Sequence, residues 1–296
     1  MANLPVAAMA CAFAGAVLFA VSAVAQQRAA AQVPEGDALL AGLIRSPRWW
    51  AGIVGDAGGF AFQVAALALG SVLVVQPILV SALIFALPLA AYYSRRPVTP
   101  TMWLQAIALS AALAVFLIVG EPTAGVTQAP WQRWIGPMGL VLGVIAISVA
   151  VAVTAVAPTL RALLLGTAAG LLFGIAAALT GHVTELFGTG PAAVATSWQP
   201  YALVGCGTLG LYLQQRGYQV GPLSASLPAF TVAEPLGAAV LGMTVLDERL
   251  RSGPIGTAFV LLAVMVMVVE AVRLSRAQAA PAPPTDGHDH AADVTR

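Results

Sequence analysis

Several polar side chains lie within the long apolar stretches of this 296-residue sequence, and two acids and three glutamines among them could do chemistry. Glu234 is the most unusual of them, because it falls about midway along the apolar stretch 222–245. An acid at the centre of a membrane helix costs about 2.5–3.5 kcal/mol on insertion scales, so it should face a partner or an aqueous cavity. A carboxylate in that position can bind a cation or carry a proton. The sequence therefore predicts Glu234 as the central binding or coupling group.

Four other polar residues are predicted to line the same site. Asp56 is the second acid, and the amides are Gln63, Gln214 and Gln76. A purely structural interpretation stays open for each of them. Either acid can be protonated and hydrogen-bonded within a helix bundle, and an amide near the midplane either fastens helices together or coordinates a solute.

Pro77 and Pro228 interrupt two further apolar stretches and are predicted to be hinges. A proline inside a helix removes one hydrogen bond and frees a carbonyl group about four residues earlier. In a membrane, the freed carbonyl groups near Leu73 and Ser224 need a protein, water or ion partner. Paired hinges or a broken-helix binding site are therefore one interpretation, and a kink satisfied by a hydroxyl group such as that of Ser226 is the other.

Signatures of an enzyme, a cofactor or a resident metal are absent from the sequence. There is no HExxH, Walker A or GxSxG motif. Cys11 and Cys206 both lie in apolar stretches, so neither a disulfide framework nor a zinc site is expected. The net charge of +1 gives no reason to expect a nucleic-acid partner.

The elements that must position these residues are membrane helices. Hydrophobic residues make up 59% of the sequence and charged residues 8%, whereas a soluble domain carries about 25% charge. Nine apolar stretches approach the ~20 residues that span a bilayer. They cover residues 5–26, 49–69, 72–94, 101–119, 134–156, 159–180, 197–216, 222–245 and 254–273. His182 and Glu185 fall in the predicted connection between the sixth and seventh stretches.

The second half of the sequence repeats the first at an offset of 151 residues. Across positions 50–80 this offset pairs Ala51 with Ala202, Gly59 with Gly210, Gln63 with Gln214, Gly70 with Gly221 and Pro77 with Pro228. One helix is left over between two sets of four, so the second set is predicted to be upside down relative to the first. The acids are not duplicated, because Gly207 stands opposite Asp56 and Leu83 stands opposite Glu234.

The predicted fold is an all-α, polytopic membrane helix bundle of about nine transmembrane helices in two inverted repeats (4 + 1 + 4). Residues 1–130 form the first repeat, 131–157 the connecting helix and 158–276 the second repeat, and 277–296 form a disordered cytoplasmic tail. Nine arginines fall on one face of the membrane and three on the other. The arginine excess predicts a plasma-membrane protein with its N-terminus outside and its C-terminus in the cytoplasm.

The last two predicted helices resemble those of the drug/metabolite transporter (DMT/EamA-like) superfamily. The resemblance is carried by the run Glu234-Pro235-Leu236-Gly237-Ala238-Ala239-Val240-Leu241-Gly242, followed by Asp247-Glu248-Arg249-Leu250 and another apolar stretch. Elements of the first half resemble the NIPA-type branch, whose members include magnesium transporters: Arg48-Trp49-Trp50-Ala51-Gly52 and Gly70-Ser71-Val72-Leu73-Val74-Val75-Gln76-Pro77. The resemblance implies an inverted-repeat carrier of nine or ten helices, and it leaves the transported solute open.

We therefore expect a secondary-active, alternating-access transporter of a small solute, either a divalent cation or a metabolite or drug moved with protons. The expected partners are the lipid bilayer and this solute, and a homodimer is compatible with the prediction. Two alternatives stay open. A lipid flippase or scramblase component would place Arg133, Trp131 and Trp134 against headgroups, and a non-transporting subunit of a larger assembly would hold Glu234 dry against a fixed partner.

Overall fold

The computed structural model describes residues 3–35, 38–69, 78–79, 81–94, 98–119, 126, 129–247 and 253–277. Every regular element in these ranges is a helix, so the predicted all-α class is confirmed for them. The helices are α1 (Asn3–Ala30), α2 (Leu39–Ile44), α3 (Pro47–Leu69), α4 (Ala82–Ser94), α5 (Pro100–Val119), α6 (Trp131–Thr154), α7 (Pro158–Thr189), α8 (Pro191–Thr196), α9 (Gln199–Val220), α10 (Leu223–Val245) and α11 (Pro254–Ala277).

Five of these helices are long and apolar enough to cross a membrane: α1, α6, α7, α10 and α11. Helices α4 and α5 contain shorter apolar segments. Many large apolar side chains of the long helices are exposed, as expected for a protein that faces lipid rather than water. The described part of the chain is therefore the helical bundle of a multi-pass membrane protein.

Helix positions follow the apolar pattern of the sequence. All described helices except the six-residue α2 and α8 overlap one of the nine predicted stretches. Helix α7 is longer than expected, at 32 residues, so the prediction that His182 and Glu185 lie in a connection is wrong. Val183 and Leu186 are buried and continue the apolar face of the helix, which extends it as far as Gly190, where φ is +120°.

The two halves of the chain pack in a similar way. In the first half (residues 3–119), α1 contacts α3 and α4; in the second half (residues 158–277), α7 contacts α9 and α10. The last helices of the halves, α5 and α11, pack against each other through a buried cluster that includes Leu109, Leu113, Met267 and Ala271. Helix α6 connects the halves and packs against α7.

Glycines allow α7 to approach the backbone of α10 closely. A Cβ atom added at Gly170 would lie 2.5 Å from the Phe230 carbonyl oxygen, and one added at Gly174 would lie 2.7 Å from the Glu234 carbonyl oxygen. Gly166 lies in the same way against the backbone of Ser226. The spacing of four residues keeps these glycines on one face of α7, the small-residue pattern that lets membrane helices pack at short distance.

One end of the bundle, which we call the arginine-rich end, is held by polar contacts between the halves and within the first half. Its contacts join Arg28 to the Tyr93 ring (3.9 Å), Arg161 Nη1 to Glu35 Oε2 (2.9 Å), and Gln219 Nε2 to the Val33 carbonyl oxygen (2.7 Å). At the opposite end, Arg133 pairs with Asp247 at 2.5 Å. The arginine-rich end therefore carries the last residues of α1, α4 and α9 and the first residues of α7.

Candidate functional site

Asp56 of α3 begins a buried chain of polar side chains. Its Oδ2 atom accepts a hydrogen bond from Gln26 Nε2 of α1 at 2.5 Å. The Oε1 atom of Gln26 in turn accepts a hydrogen bond from Gln215 Nε2 of α9 at 2.6 Å. Gln26 is 2% exposed and Gln215 is fully buried. We call Asp56, Gln26 and Gln215 the amide chain; it joins the first half of the protein to the second.

Glycines of α3 provide the space that the amide chain needs. A Cβ atom added at Gly52 would lie 2.6 Å from Gln26 Cγ, and one added at Gly55 would collide with the hydroxyl group of Ser22. Gly59, one turn further on, lies against the Phe19 ring. Helix α1 can therefore pack tightly on α3 while two of its polar side chains reach the level of Asp56.

Hydroxyl groups complete the surroundings of Asp56. On α1, the Ser22 hydroxyl group lies against Gly55, the residue before Asp56. On α9, Tyr218 is close enough for the charge of Asp56 to act on its hydroxyl group. Tyr218 is buried, and its hydroxyl group lies beside the predicted lining residue Gln214. The structure thus brings together two of the predicted residues, Asp56 and Gln214, through a tyrosine that the sequence did not indicate.

Two oxygen atoms of this region have no hydrogen-bond partner among the described residues. They are Ser22 Oγ and Gln215 Oε1, and both are buried. Buried polar atoms are normally paired, so each such atom calls for a physical explanation. Within the described ranges, no three His, Cys, Asp or Glu side chains lie close enough to hold a metal ion. The chemistry around Asp56 is therefore that of one carboxylate among neutral amide and hydroxyl groups.

Glu234 lies apart from the amide chain. It is partly buried in α10, and its carboxyl group makes no hydrogen bond or ion pair with a described residue. Its backbone is fixed, since the carbonyl oxygen of Glu234 lies against Gly174 of α7. The predicted site is consequently divided between Asp56 with its partners on α1 and α9, and the unpaired Glu234 on α10.

Pro228 is buried within α10, near the arginine-rich end. Ser226 Oγ donates to the Pro222 carbonyl oxygen at 3.5 Å, and Ser224 Oγ is buried without a described partner. This part of α10 faces α4 across a small apolar cavity. The cavity is lined by Leu83, Ala86, Leu87, Ala90, Leu223, Ser224, Leu227 and Pro228.

The remaining predicted residues contribute less to this geometry. Gln63 is partly buried on α3, and its side chain makes no hydrogen bond with the part of the chain that the structure describes. Gln76 and Pro77 lie outside the described residues.

Gln26 and Gln215 are the functional candidates that the sequence reasoning missed. We expected the first helix to close at residue 26, but α1 continues to Ala30, which places Gln26 a full turn inside the bundle. The repeat drew attention to Gln214 because Gln63 is its counterpart, whereas the counterpart of Gln215 is Val64. The available signal was the rarity of two adjacent amides within an apolar helix.

Comparisons with known proteins yield one informative match. No family model matches the chain, and no solved structure matches it. An uncharacterized protein of Corynebacterium glutamicum is 33% identical over 276 residues, covering 92% of this chain and 95% of that protein. Identity at this level over nearly the whole of both chains establishes common descent, and the chain belongs to the family of this uncharacterized Corynebacterium glutamicum protein.

Proposed function

We propose that this protein is a secondary-active, alternating-access transporter of a small solute. The observation that carries the proposal is the relation between the two halves: in each, the first helix packs against the helices that correspond to the second and third, and the contacts at the arginine-rich end support opposite directions for the two sets. Two inverted halves around one connecting helix are the architecture of many carriers, in which each half can adopt the conformation of the other. The proposal includes about nine transmembrane helices and membership of the drug/metabolite transporter superfamily.

The contacts at the arginine-rich end support opposite directions for the two halves. Helix α1 ends there, beside the beginning of α7, through Glu35 and Arg161. Helix α4 ends there as well, whereas its counterpart α10 begins opposite it at the small cavity. Trp49, early in α3, and Tyr218, late in α9, belong to one buried cluster, which pairs the start of one helix with the end of the other.

A packing detail shared by the halves supports their common origin. The Phe19 ring of α1 covers Gly59 of α3, with 2.8 Å between the ring and an added Cβ atom. The Phe173 ring of α7 covers Gly210 of α9 in the same way, at 3.0 Å. Gly59 and Gly210 are counterparts at the offset of 151 residues. An aromatic ring from the first helix therefore packs on the equivalent glycine of the second helix in both halves.

Glu234 is the residue that we assign to the solute. A carboxyl group within an apolar helix, with no partner among the described residues, is the expected state of a group that binds a cation or a cationic solute reversibly. Its backbone is held against α7, so movement of α10 would carry the carboxyl group with it. The proposed cargo is a divalent cation or a metabolite or drug moved with protons. The arginine-rich end is assigned to the cytoplasmic side of the plasma membrane, with the N-terminus outside.

Lipid handling is the second candidate function, and one feature favours it. At the end opposite to the arginine-rich end, an open aromatic groove is lined by Trp131, Trp134, Ile135, Met138, Gly139, Leu142 and Trp198. Tryptophan is enriched where membrane helices meet the headgroup region, so this groove could hold an acyl chain. Movement of fluorescent phospholipid between leaflets in proteoliposomes, with no uptake of any soluble solute, would favour this function instead.

Uptake assays in proteoliposomes test the proposal. The panel contains magnesium, amino acids and cationic drugs, each with and without an imposed proton gradient. We expect one class to be transported, and Glu234→Gln to reduce that transport by at least about tenfold, because a neutral amide cannot replace the charge that binds a cation. Glu185→Gln is the matched control, because Glu185 is an exposed acid on α7. This variant should transport the solute at the wild-type rate. Wild-type rates for Glu234→Gln under every gradient would contradict the assigned role.

A further inference from the structure

The amide chain has a direction that follows from the charge of Asp56. An ionised carboxylate can only accept hydrogen bonds, so Gln26 must turn its Nε2 group towards Asp56. This orientation leaves Gln26 Oε1 facing α9, where Gln215 must supply its own Nε2 group. Gln215 Oε1 is then left at the far end, buried and unpaired. The unpaired oxygen of Gln215 thus lies at the end of the direction that an ionised Asp56, two side chains away, requires.

Protonation of Asp56 permits the reverse direction. A neutral carboxyl group carries one O–H donor, which can donate to Gln26 Oε1 if the amide turns over. Gln26 Nε2 would then face α9 and require an acceptor. Gln215 Oε1 can become that acceptor by turning over in the same way. One proton is taken up, no other proton leaves, and the amide chain keeps two hydrogen bonds in both directions. The buried group at its far end changes from Gln215 Oε1 to Gln215 Nε2.

The two directions differ in strength, because only one of them includes a charge. Hydrogen bonds that involve an ionised partner are roughly twice as strong as those between neutral groups. The charge acts directly on the bond between Gln26 and Asp56, which joins α1 to α3 within the first half. The bond between Gln215 and Gln26, which joins the halves, is neutral in both directions. The charge of Asp56 reaches it by polarisation along the amide chain, which strengthens a neighbouring hydrogen bond by about 10–30%.

We propose that Asp56 is the proton-binding group of the transporter, and that the amide chain of Gln26 and Gln215 transmits its protonation to the contact between the two halves. Proton uptake weakens this contact and favours opening of the arginine-rich end; proton release closes it. Gln26 and Gln215 act as positioning residues, and Glu234 is left to bind the solute. This inference rests on the proposed transport function.

The surroundings of Asp56 fit a group that exchanges a proton. On α1, Gln26 donates a hydrogen bond to it and Ser22 lies one turn before Gln26, and neither side chain titrates; on α9, Tyr218 lies within range of its charge. In the described ranges, no basic side chain pairs with it to fix its charge. A carboxylate held in a permanent ion pair could not change its charge during a transport cycle. Here the state of Asp56 is free to follow the proton gradient.

A labelling experiment reads the opening of the arginine-rich end without requiring transport. Ser224 is buried in the cavity between α4 and α10, so Ser224→Cys reports its exposure through the rate of maleimide labelling. The native Cys11 and Cys206 are first replaced by serine. We expect labelling at acidic pH to be up to about twofold faster than at alkaline pH, the change that corresponds to losing the polarisation of one neutral hydrogen bond. Rates are normalised to a free cysteine peptide to remove the pH dependence of the thiol itself.

Variants of the amide chain separate its members. In the Asp56→Asn background, Ser224→Cys should be labelled fast at both pH values, because the asparagine side chain is neutral at each of them. Gln26→Leu and Gln215→Leu should each abolish the pH dependence of the labelling rate, because either substitution interrupts the amide chain. Gln27→Leu is the matched control: this neighbouring amide on α1 makes no side-chain hydrogen bond with a described residue, and its variant should keep the wild-type response. Infrared difference spectra provide a direct measure, because the carbonyl band of protonated carboxyl groups that appears on acidification should be smaller in Asp56→Asn than in the wild type.

The outcomes distinguish this inference from the transport proposal. If a solute is transported but wild-type labelling does not change with pH, or the infrared band is equally large in Asp56→Asn and the wild type, the proton role of Asp56 is overturned while transport stands. If labelling follows pH as expected and no solute of the panel moves, the transport proposal fails while the proton-controlled contact stands. Retention of the full pH response by both Gln26→Leu and Gln215→Leu overturns the amide chain as the transmitting element.

Discussion

Joining α4 to α10 through a disulfide between Ala90→Cys and Leu227→Cys is expected to abolish transport, and reduction is expected to restore it. Both residues pack in one buried cluster near the arginine-rich end, although α4 belongs to the first half and α10 to the second. In an alternating-access cycle the halves must separate at this end to expose the solute site. A covalent bond across the cavity would stop the cycle in one state. The measurement is solute uptake by proteoliposomes before and after reduction.

A bond within one half is the matched control. Phe13 and Phe85 join α1 to α4 inside the first half, with 5.2 Å between their ring centroids. Cross-linking Phe13→Cys to Phe85→Cys should leave most transport intact, because the half moves as a body. Both double variants are made after Cys11 and Cys206 are replaced by serine. Transport that continues in fully cross-linked Ala90→Cys/Leu227→Cys protein would contradict a rocking mechanism.

Gly174→Val is expected to lower the stability of the bundle and to stop transport. An added Cβ atom would lie 2.7 Å from the Glu234 carbonyl oxygen and 2.9 Å from the Ala238 nitrogen, both of which are backbone atoms. Backbone cannot move aside as a flexible side chain does, so α7 and α10 must separate. Overpacking of this kind costs about 1–3 kcal/mol. Separation of the helices would also displace Glu234 from the position that we assign to solute binding.

Gly143→Val is the control for this prediction. Gly143 lies on the apolar helix α6, and an added Cβ atom there meets nothing within 4 Å. It tests the same change of residue in a membrane helix without the close contact. We expect the thermal unfolding midpoint in detergent to fall for Gly174→Val and to stay near the wild-type value for Gly143→Val. Equal midpoints for the two variants would show that the close approach of α7 and α10 is unimportant for stability.

The fold could be anticipated from the sequence because the bilayer imposes a simple physical requirement. Backbone groups in lipid must be paired within helices, so runs of apolar residues read directly as helices. The end of α7 was missed because His182 and Glu185 look like loop residues, although Val183 and Leu186 keep the helix packed. For the end of this helix, two polar residues were a weaker indicator than the apolar face that continues through the same turns.

The candidate site was only partly predictable, and for a specific reason. Asp56 stood out because a charge in an apolar stretch is costly, and this argument needs no knowledge of its neighbours. Gln26 and Gln215 became candidates through their contacts, which join residues 189 positions apart in the chain. Hydrogen bonds between distant helices depend on packing geometry, which composition and spacing along one helix do not encode.

The halves differ in which helices are in closest contact. In the first half, the glycines Gly52, Gly55 and Gly59 of α3 lie against α1; in the second, Gly166, Gly170 and Gly174 of α7 lie against α10. In the second half α9 is also held close to α7, since an added Cβ atom at Gly221 would lie 2.5 Å from the Pro158 carbonyl oxygen, so the two halves are not packed in the same way. Exchanging the conformations of the two halves is then not energetically neutral. For the transporter that we propose, this asymmetry predicts a resting preference for one side of the membrane, present before any solute or gradient acts on it.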